Sequence, residues 1–369
     1  MTVLTGAPLL DTYARFPVTL VDGEGSWLID EDGKRYLDLV AGIAVVGLGH
    51  RHPAPLEAAQ AQLERLWHVS NLYSTLPMEE LATKLSERFG GAHAFFCNSG
   101  GEAIEAAIKW ARKVTGRPEF VAFEGSFHGR TTGALALTGQ PAKRAAFEPL
   151  LPGVRFVTPE TLRDAVGPNT AAIFLEPIQG EGGVRPFSVA TLAEARALAD
   201  EFGAMLIFDE VQTGIGRTGE FFGWQHSGIR PDAITLAKGM ANGLPIGALL
   251  VSDTAPSGFT PGDHASTFGG NPVACAAACA VLDVVDDDLL AHVRAIGARF
   301  EDAFPTSRGQ GLLLAIELGR PAGPVALAAL EHGLLVGTAG ETALRITPAL
   351  TISAEEADLG IELLKEVLR

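Results

Sequence analysis

From residue 18 to residue 40, apolar and polar side chains alternate around two turn signals, Asp22-Gly23 and Asp32-Gly33. A period of two bounded by such turns predicts short antiparallel strands at 18–21, 26–29 and 35–38. From about residue 54 the pattern changes, and helical stretches alternate with short, continuous apolar runs. Helices are predicted at 55–67, 77–89, 102–115, around 141–147 and at 189–202, and buried strands at 94–97, 120–123, 171–175, 204–208, 233–237 and 247–251. Strands that are apolar on both faces and separated by helices form mostly parallel sheets covered on each side. Beyond Pro272 a long helical pattern runs to residue 304. It is followed by strand-like 312–317, a helix at 325–332, strand-like 334–336 and 344–347, and a helix at 354–368. The expected fold is α/β: a mostly parallel, doubly wound sheet, with a smaller α+β domain built from both chain ends. The expected boundaries are 1–53, 54–271 for the large domain, and 272–369.

Composition narrows the function classes. The 369 residues suffice for two to three domains, and 47% hydrophobic against 20% charged excludes disorder for the bulk of the chain. The net charge of −16 argues against a general nucleic-acid or anionic-membrane partner, because such binding rests on clustered Lys and Arg. Cys97, Cys275 and Cys279 form no CxxC pair, so neither a disulfide framework nor a structural zinc site is expected, and no metal is assigned. The first eleven residues carry no Lys or Arg and no leader layout, and the longest apolar stretch, 39–49, holds three glycines and is too short to span a bilayer. A cytoplasmic protein is expected.

In an open parallel sheet, ligands bind beyond the carboxyl ends of the strands. Polar residues follow each apolar run: Asn98-Ser99-Gly100-Gly101-Glu102, then Phe127-His128-Gly129-Arg130, then 176–183, then Asp209-Glu210-Val211-Gln212, then Lys238-Gly239. Ser99 can cap a helix whose glycines let backbone N–H groups approach an anion, although a plain cap has the same appearance. Lys238 ends an apolar strand; a desolvated lysine has a lowered pKa and can form a Schiff base, whereas one that reaches solvent cannot be told apart by position alone. Asp209 ends another strand and needs a positive or hydrogen-bonding partner, catalytic or structural. Gly214-Ile215-Gly216-Arg217-Thr218-Gly219 fits a dinucleotide fingerprint literally, but no helix pattern follows it, which argues against nicotinamide or flavin binding. His50-Arg51-His52 lies beside Pro53 with no carboxylate or Cys close by, so it is read as structural. No G-x-S-x-G elbow is present.

Taken together, a phosphate cradle, an aromatic ring, an acid and a Schiff-base lysine are what a pyridoxal phosphate site needs. The same segments, with Glu105-Ala106, Arg217-Thr218-Gly219 and Ser266-Thr267-Phe268-Gly269-Gly270-Asn271-Pro272, resemble the class III, fold type I aminotransferases over nearly the whole chain. Phe95-Phe96-Cys97-Asn98 and Arg345-Ile346-Thr347-Pro348 look most like members acting on N-acetylornithine. The resemblance implies roles. Lys238 would hold pyridoxal 5'-phosphate and shuttle a proton, and Asp209 would keep the ring nitrogen protonated. Gln212 would reach the ring hydroxyl, and Phe127 would stack on the ring. Ser99, Gly100 and Gly101 would hold the phosphate, with Thr267 reaching it from the second subunit of a homodimer. Arg130 and Arg345 would bind substrate carboxylates, Ser266 would line the substrate site, and Glu181 would gate Arg345. Gly101 departs from the family's frequent Thr or Ala, and Ile104 from its frequent Asn. The implied reaction moves the terminal amine of N-acetylornithine to 2-oxoglutarate, giving the semialdehyde and glutamate. Alternatives are a carrier-linked amine of lysine synthesis, ornithine, succinyl-diaminopimelate and 4-aminobutyrate. The strongly acidic chain disfavours an acidic carrier.

Overall fold

A seven-stranded sheet forms the centre of the protein in the computed structural model, which describes residues 8–369. Residues 1–7, the start of the segment read for a leader, lie outside the described residues. The strand order is Ala92–Cys97, Gly247–Ser252, Ala233–Leu236, Met205–Asp209, Thr170–Leu175, Glu119–Phe123, Val154–Val157. Gly247–Ser252 runs antiparallel to both neighbours, and the other adjacent pairs are parallel. Every residue of Thr170–Leu175, Ala233–Leu236 and Gly247–Ser252 is buried, as their apolar runs require of strands covered on both faces. Helix Gly100–Thr115 packs Ile104, Ile108 and Trp110 against one face, and helices Leu76–Phe89 and Val189–Phe202 contribute to the core on the other.

A second, four-stranded sheet takes the order Ser307–Gln310, Leu313–Glu317, Ala343–Ile346, Gly337–Ala339, all antiparallel. The N-terminal strands Leu20–Glu24, Trp27–Asp30 and Arg35–Asp38 form a third sheet, whose last strand pairs in parallel with Leu334–Leu335. Chain start and chain end therefore meet in one sheet. No helix among the described residues is long and apolar enough to cross a membrane.

Several elements depart from the sequence pattern for local reasons. The first strand continues through Asp22-Gly23, the expected turn; the turn falls instead at Gly25, whose φ of +56° suits a residue without a Cβ. The apolar stretch after Pro272 is two helices, Pro272–Val284 and Asp287–Ala303, because the Asp286 carboxylate accepts the Leu289 N–H at 2.9 Å and starts a new helix. Val154–Val157, buried only at Val157, and Ser307–Gln310, half-buried throughout, are edge strands, and neither leaves a continuous apolar run in the sequence. His50 Nε2 lies 2.8 Å from the Asp38 carboxylate, and His52 accepts the Ala54 N–H as a helix cap, so both histidines serve local structure. Residues 214–219 form a turn-rich loop instead of opening a helix. Its Arg217 is fully enclosed and donates to the carbonyls of Leu312 and Pro348, tying the central sheet's loops to the second sheet.

Candidate active site

Parallel strands deliver their carboxyl ends to one rim, and the polar residues that end the apolar runs converge there. Ser99, Gly100, Gly101, Phe127, Glu181, Asp209, Gln212 and Lys238 line one cavity of about 310 Å³. Arg345 touches that group through Glu181 and Gln212. Ser266 is one hydrogen bond removed: its Oγ accepts from Nδ2 of Asn98, which lines the cavity, at 3.2 Å. Arg130 is exposed, with its guanidinium carbon 5.6 Å from the Phe127 ring centre. Thr267 faces a separate cavity with His68, Asn71 and Phe95.

Lys238 follows strand Ala233–Leu236 and holds φ at +44°, a left-handed conformation that residues with a Cβ rarely adopt and that surrounding structure must enforce. Burial lowers its pKa, and the Arg345 charge lowers it further; the carboxylates of Glu181 and Asp209 oppose this without overcoming it. More of the side chain is therefore an uncharged amine than in water, as a nucleophile requires.

Asp209 closes strand Met205–Asp209 and is only 4% exposed. Its Oδ1 accepts from the Val211 N–H at 3.1 Å and the Thr235 hydroxyl at 3.0 Å, and its Oδ2 lies 2.7 Å from Nδ1 of the buried His128. Burial lowers the His128 pKa, but the hydrogen bond to Asp209 and the nearby carboxylates raise it by more, so the net shift is upward. Glu176, just past strand Thr170–Leu175, accepts the N–H groups of Phe127 at 2.9 Å and Gly180 at 3.0 Å. It thus ties the loop carrying Phe127 to the loop carrying Glu181. Burial pushes its pKa up to about 7.

Helix Gly100–Thr115 begins at the cavity. The Ser99 hydroxyl takes the Glu102 N–H at 3.3 Å, which leaves the first N–H groups of the helix for an external anion. A Cβ at Gly100 would come within 2.9 Å of Val211, which lines the same cavity, so glycine is required for the close approach. Arg345, on strand Ala343–Ile346, is almost wholly enclosed and its Nε has no partner. Its Nη1 donates to Glu181 and, at 3.3 Å, to Gln212 Oε1. Burial raises the Glu181 pKa, but Arg345 lowers it by more, and the carboxyl stays ionised.

A helix N-terminus with free N–H groups, an aromatic wall, a buried carboxylate and a desolvated lysine in one cavity fit the phosphate, ring face, ring nitrogen and aldehyde of pyridoxal phosphate. The Aminotransferase class-III family profile matches residues 11–368. The chain is a class-III aminotransferase. It is 47% identical to the acetylornithine aminotransferase of Corynebacterium efficiens, over 98% of this chain and 94% of that one. It is 46% identical to that of Aquifex aeolicus, over 98% and 99%. Among solved structures, this class-III chain matches the N-acetylornithine aminotransferase of Stenotrophomonas maltophilia with a TM-score of 0.82, at 35% identity and 96% coverage of each chain. It matches the ornithine aminotransferase of Toxoplasma gondii with a TM-score of 0.91, at 31% identity over 98% and 92%; that protein was observed with partial occupancy of PLP at its active site.

Sequence reasoning assigned no role to His128, Glu176 or Glu210. All three stand in the polar sets that follow apolar strands, which was the available signal. Glu210 is fully enclosed, accepts the N–H groups of Gly223 and Trp224, and holds the loop that contains Arg217; burial pushes its pKa up to about 7.

Proposed function

We propose that this class-III aminotransferase moves the terminal amine of N-acetylornithine to 2-oxoglutarate, with pyridoxal 5'-phosphate as cofactor, in a cytoplasmic homodimer. The observation that carries the reading is the Arg345–Glu181 pair, whose Glu181 lines the same cavity as Lys238 and Asp209: a cation for a dicarboxylate acceptor, already masked by a carboxylate when a chain end without a carboxylate enters. When bound, the cofactor supplies an aldehyde for the amino group and a ring that spreads the charge left at the substrate carbon. Lys238 holds the aldehyde end and moves the proton at the reacting carbon. Asp209, oriented by His128, keeps the ring nitrogen protonated. Gln212 bonds beside the ring hydroxyl, Phe127 covers the ring face, and Ser99, Gly100 and Gly101 bind the phosphate. Ser266 lines the substrate space, and Arg130 and Arg345 take the substrate carboxylates. The division at 1–53, 54–271 and 272–369 is supported by the sheets, the seven-stranded one lying within 92–252 and the two four-stranded ones drawing on 20–38 and 307–346, except that helix Pro272–Val284 packs on Pro53–Leu63 and Leu76–Phe89 and so goes with the large domain. A panel of amines with 2-oxoglutarate, scored by kcat/KM, tests the activity; preference for ornithine, succinyl-diaminopimelate, 4-aminobutyrate or a carrier-linked lysine derivative would overturn it.

The dimer is supported by Thr267, which faces away from Gly100 and Gly101 within its own chain, and by exposed Trp67, Leu72, Tyr73, Leu76 and Phe268 in the segments around the same cavity. Mixing Lys238→Ala protein with Thr267→Asp protein, which sets a carboxylate against the phosphate, is expected to restore about one quarter of wild-type activity: half the dimers are mixed, with one intact site of two in each. An active monomer by light scattering would refute the shared site.

Glu181 is read as a gate. Leaving Arg345 enclosed and unpaired is costly, so the carboxylate neutralises it during the amine half-reaction and yields to the substrate carboxylate in the other. Glu181→Gln is expected to slow the N-acetylornithine half-reaction about tenfold and leave the glutamate half-reaction equal or faster in single-turnover measurements. Equal losses in both halves would end the gating role.

A further inference from the structure

Two cations at the edge of the site have no bonded side-chain partner among the described residues. Lys143, in the short helix Pro141–Arg144, is half-buried, yet its ammonium makes no ion pair or hydrogen bond among the described residues. Its Nζ lies 5.4 Å from the centre of the Phe127 ring, and the Arg130 guanidinium carbon lies 5.6 Å from the same centre. Arg130 likewise has no carboxylate partner among the described residues. In a chain with 44 acidic and 28 basic residues, carboxylates are plentiful, but among the described residues none forms an ion pair or hydrogen bond with either cation, and Glu181 meets Lys143 only through its charge. Two cations gathered at one ring repel each other, and an anion that both can reach relieves the repulsion. Phe127 is a wall of the cavity, and the Lys143 charge is felt by Glu181 within it, so that anion belongs to the cavity's occupant.

We propose that Lys143 joins Arg130 in binding the substrate carboxylate remote from the reacting carbon, and that Lys143 selects amines whose α-nitrogen is acylated. The inference rests on the activity proposed above. Both substrates carry the required group: the α-carboxylate of N-acetylornithine and the γ-carboxylate of 2-oxoglutarate. The α-nitrogen of N-acetylornithine is an uncharged amide next to that carboxylate. In ornithine it is an ammonium, a third positive charge brought against Lys143 and Arg130. Lys143 therefore disfavours the unacylated amine by charge, independently of cleft shape.

The test uses holoenzyme with Lys143→Met and Lys143→Arg. Glutarate, an unreactive dicarboxylate, probes the anion site, and kcat/KM for N-acetylornithine and for ornithine probes selection. Lys143→Met is expected to weaken glutarate binding about 5–10-fold and flatten its dependence on salt. The N-acetylornithine effect should fall mainly on KM, and the preference for N-acetylornithine over ornithine should drop by a similar factor, with Lys143→Arg restoring each. Unchanged glutarate affinity and unchanged preference would overturn the proposal. So would a Lys143→Met protein that releases cofactor more readily at unchanged glutarate affinity, since Lys143 would then only steady Phe127. A wild-type preference for ornithine would defeat the activity reading and the selectivity claim together, while glutarate binding would still decide the anion site.

Discussion

Lys238→Ala is expected to lower turnover by about 10⁴-fold or more, because the proposed function places two roles on one amine. The first is attachment. Lys238 follows strand Ala233–Leu236 with its backbone held in a left-handed conformation, and among the described residues it is the lysine that lines the cavity with Asp209 and Glu181. The second is proton transfer, which needs an amine that is not permanently charged; burial supplies this by lowering the pKa. Alanine removes both functions and leaves the phosphate site at helix Gly100–Thr115 intact, so cofactor should still bind, without covalent attachment. Borohydride treatment of the wild-type holoenzyme followed by peptide mapping should place the label on Lys238. A label on any other lysine, or wild-type turnover by the alanine variant, would end the assignment.

The residues at this rim differ in how far the chain itself exposes them. Lys238 and Asp209 each interrupt a run that is otherwise apolar, and a charge at the end of a buried strand stands out in sequence. The alternation of helices with such runs likewise conveys the parallel sheet. The Glu181–Arg345 contact joins residues 164 apart, one on a loop and one on a strand of the second sheet, and nothing local marks it; only the resemblance suggests it. His128 and Glu176 are legible as polar residues in the right loops, but their work depends on which backbone N–H or carboxylate the fold brings opposite them. Val154–Val157 is missed for another reason: an edge strand needs no continuous apolar run, and Arg155 is exposed in its middle.

Glu176 and Glu210 show what holds the site together. Each is an enclosed carboxylate without a basic side chain bonded to it, and each is satisfied by backbone N–H groups from loops that would otherwise be independent. Glu176 joins the Phe127 loop to the Glu181 loop, and Glu210 fixes the segment leading to Arg217, which in turn anchors the strands around Arg345. Phe127 and Arg345 are thus set in register with the rim of the central sheet by hydrogen bonds that a hydrophobic core could not direct.

Asp209→Asn is expected to leave cofactor binding in place and to lower kcat by about 10²-fold or more, equivalent to about 2.7 kcal/mol of transition-state stabilisation. The substitution keeps the shape. The asparagine oxygen can still accept from the Val211 N–H and the Thr235 hydroxyl, the two donors that fix Oδ1. Its amide nitrogen must then face Nδ1 of His128, where the wild-type protein has Oδ2 at 2.7 Å. Two N–H donors cannot point at each other, so His128 has to present a lone pair at Nδ1 and become neutral. The raised pKa of His128 depends on the Asp209 carboxylate, and its removal should move that pKa downward, a shift that nitrogen NMR of the imidazole would read directly. In the proposed arrangement the cofactor's ring nitrogen would lose its anionic partner at the same time, so the variant should bind the cofactor but fail to stabilise charge at the reacting carbon. A wild-type kcat, with the substitution confirmed by mass, would exclude the electronic role. A fallen kcat with an unmoved His128 pKa would mean that the carboxylate acts on the cofactor alone, without the imidazole as its positioning partner.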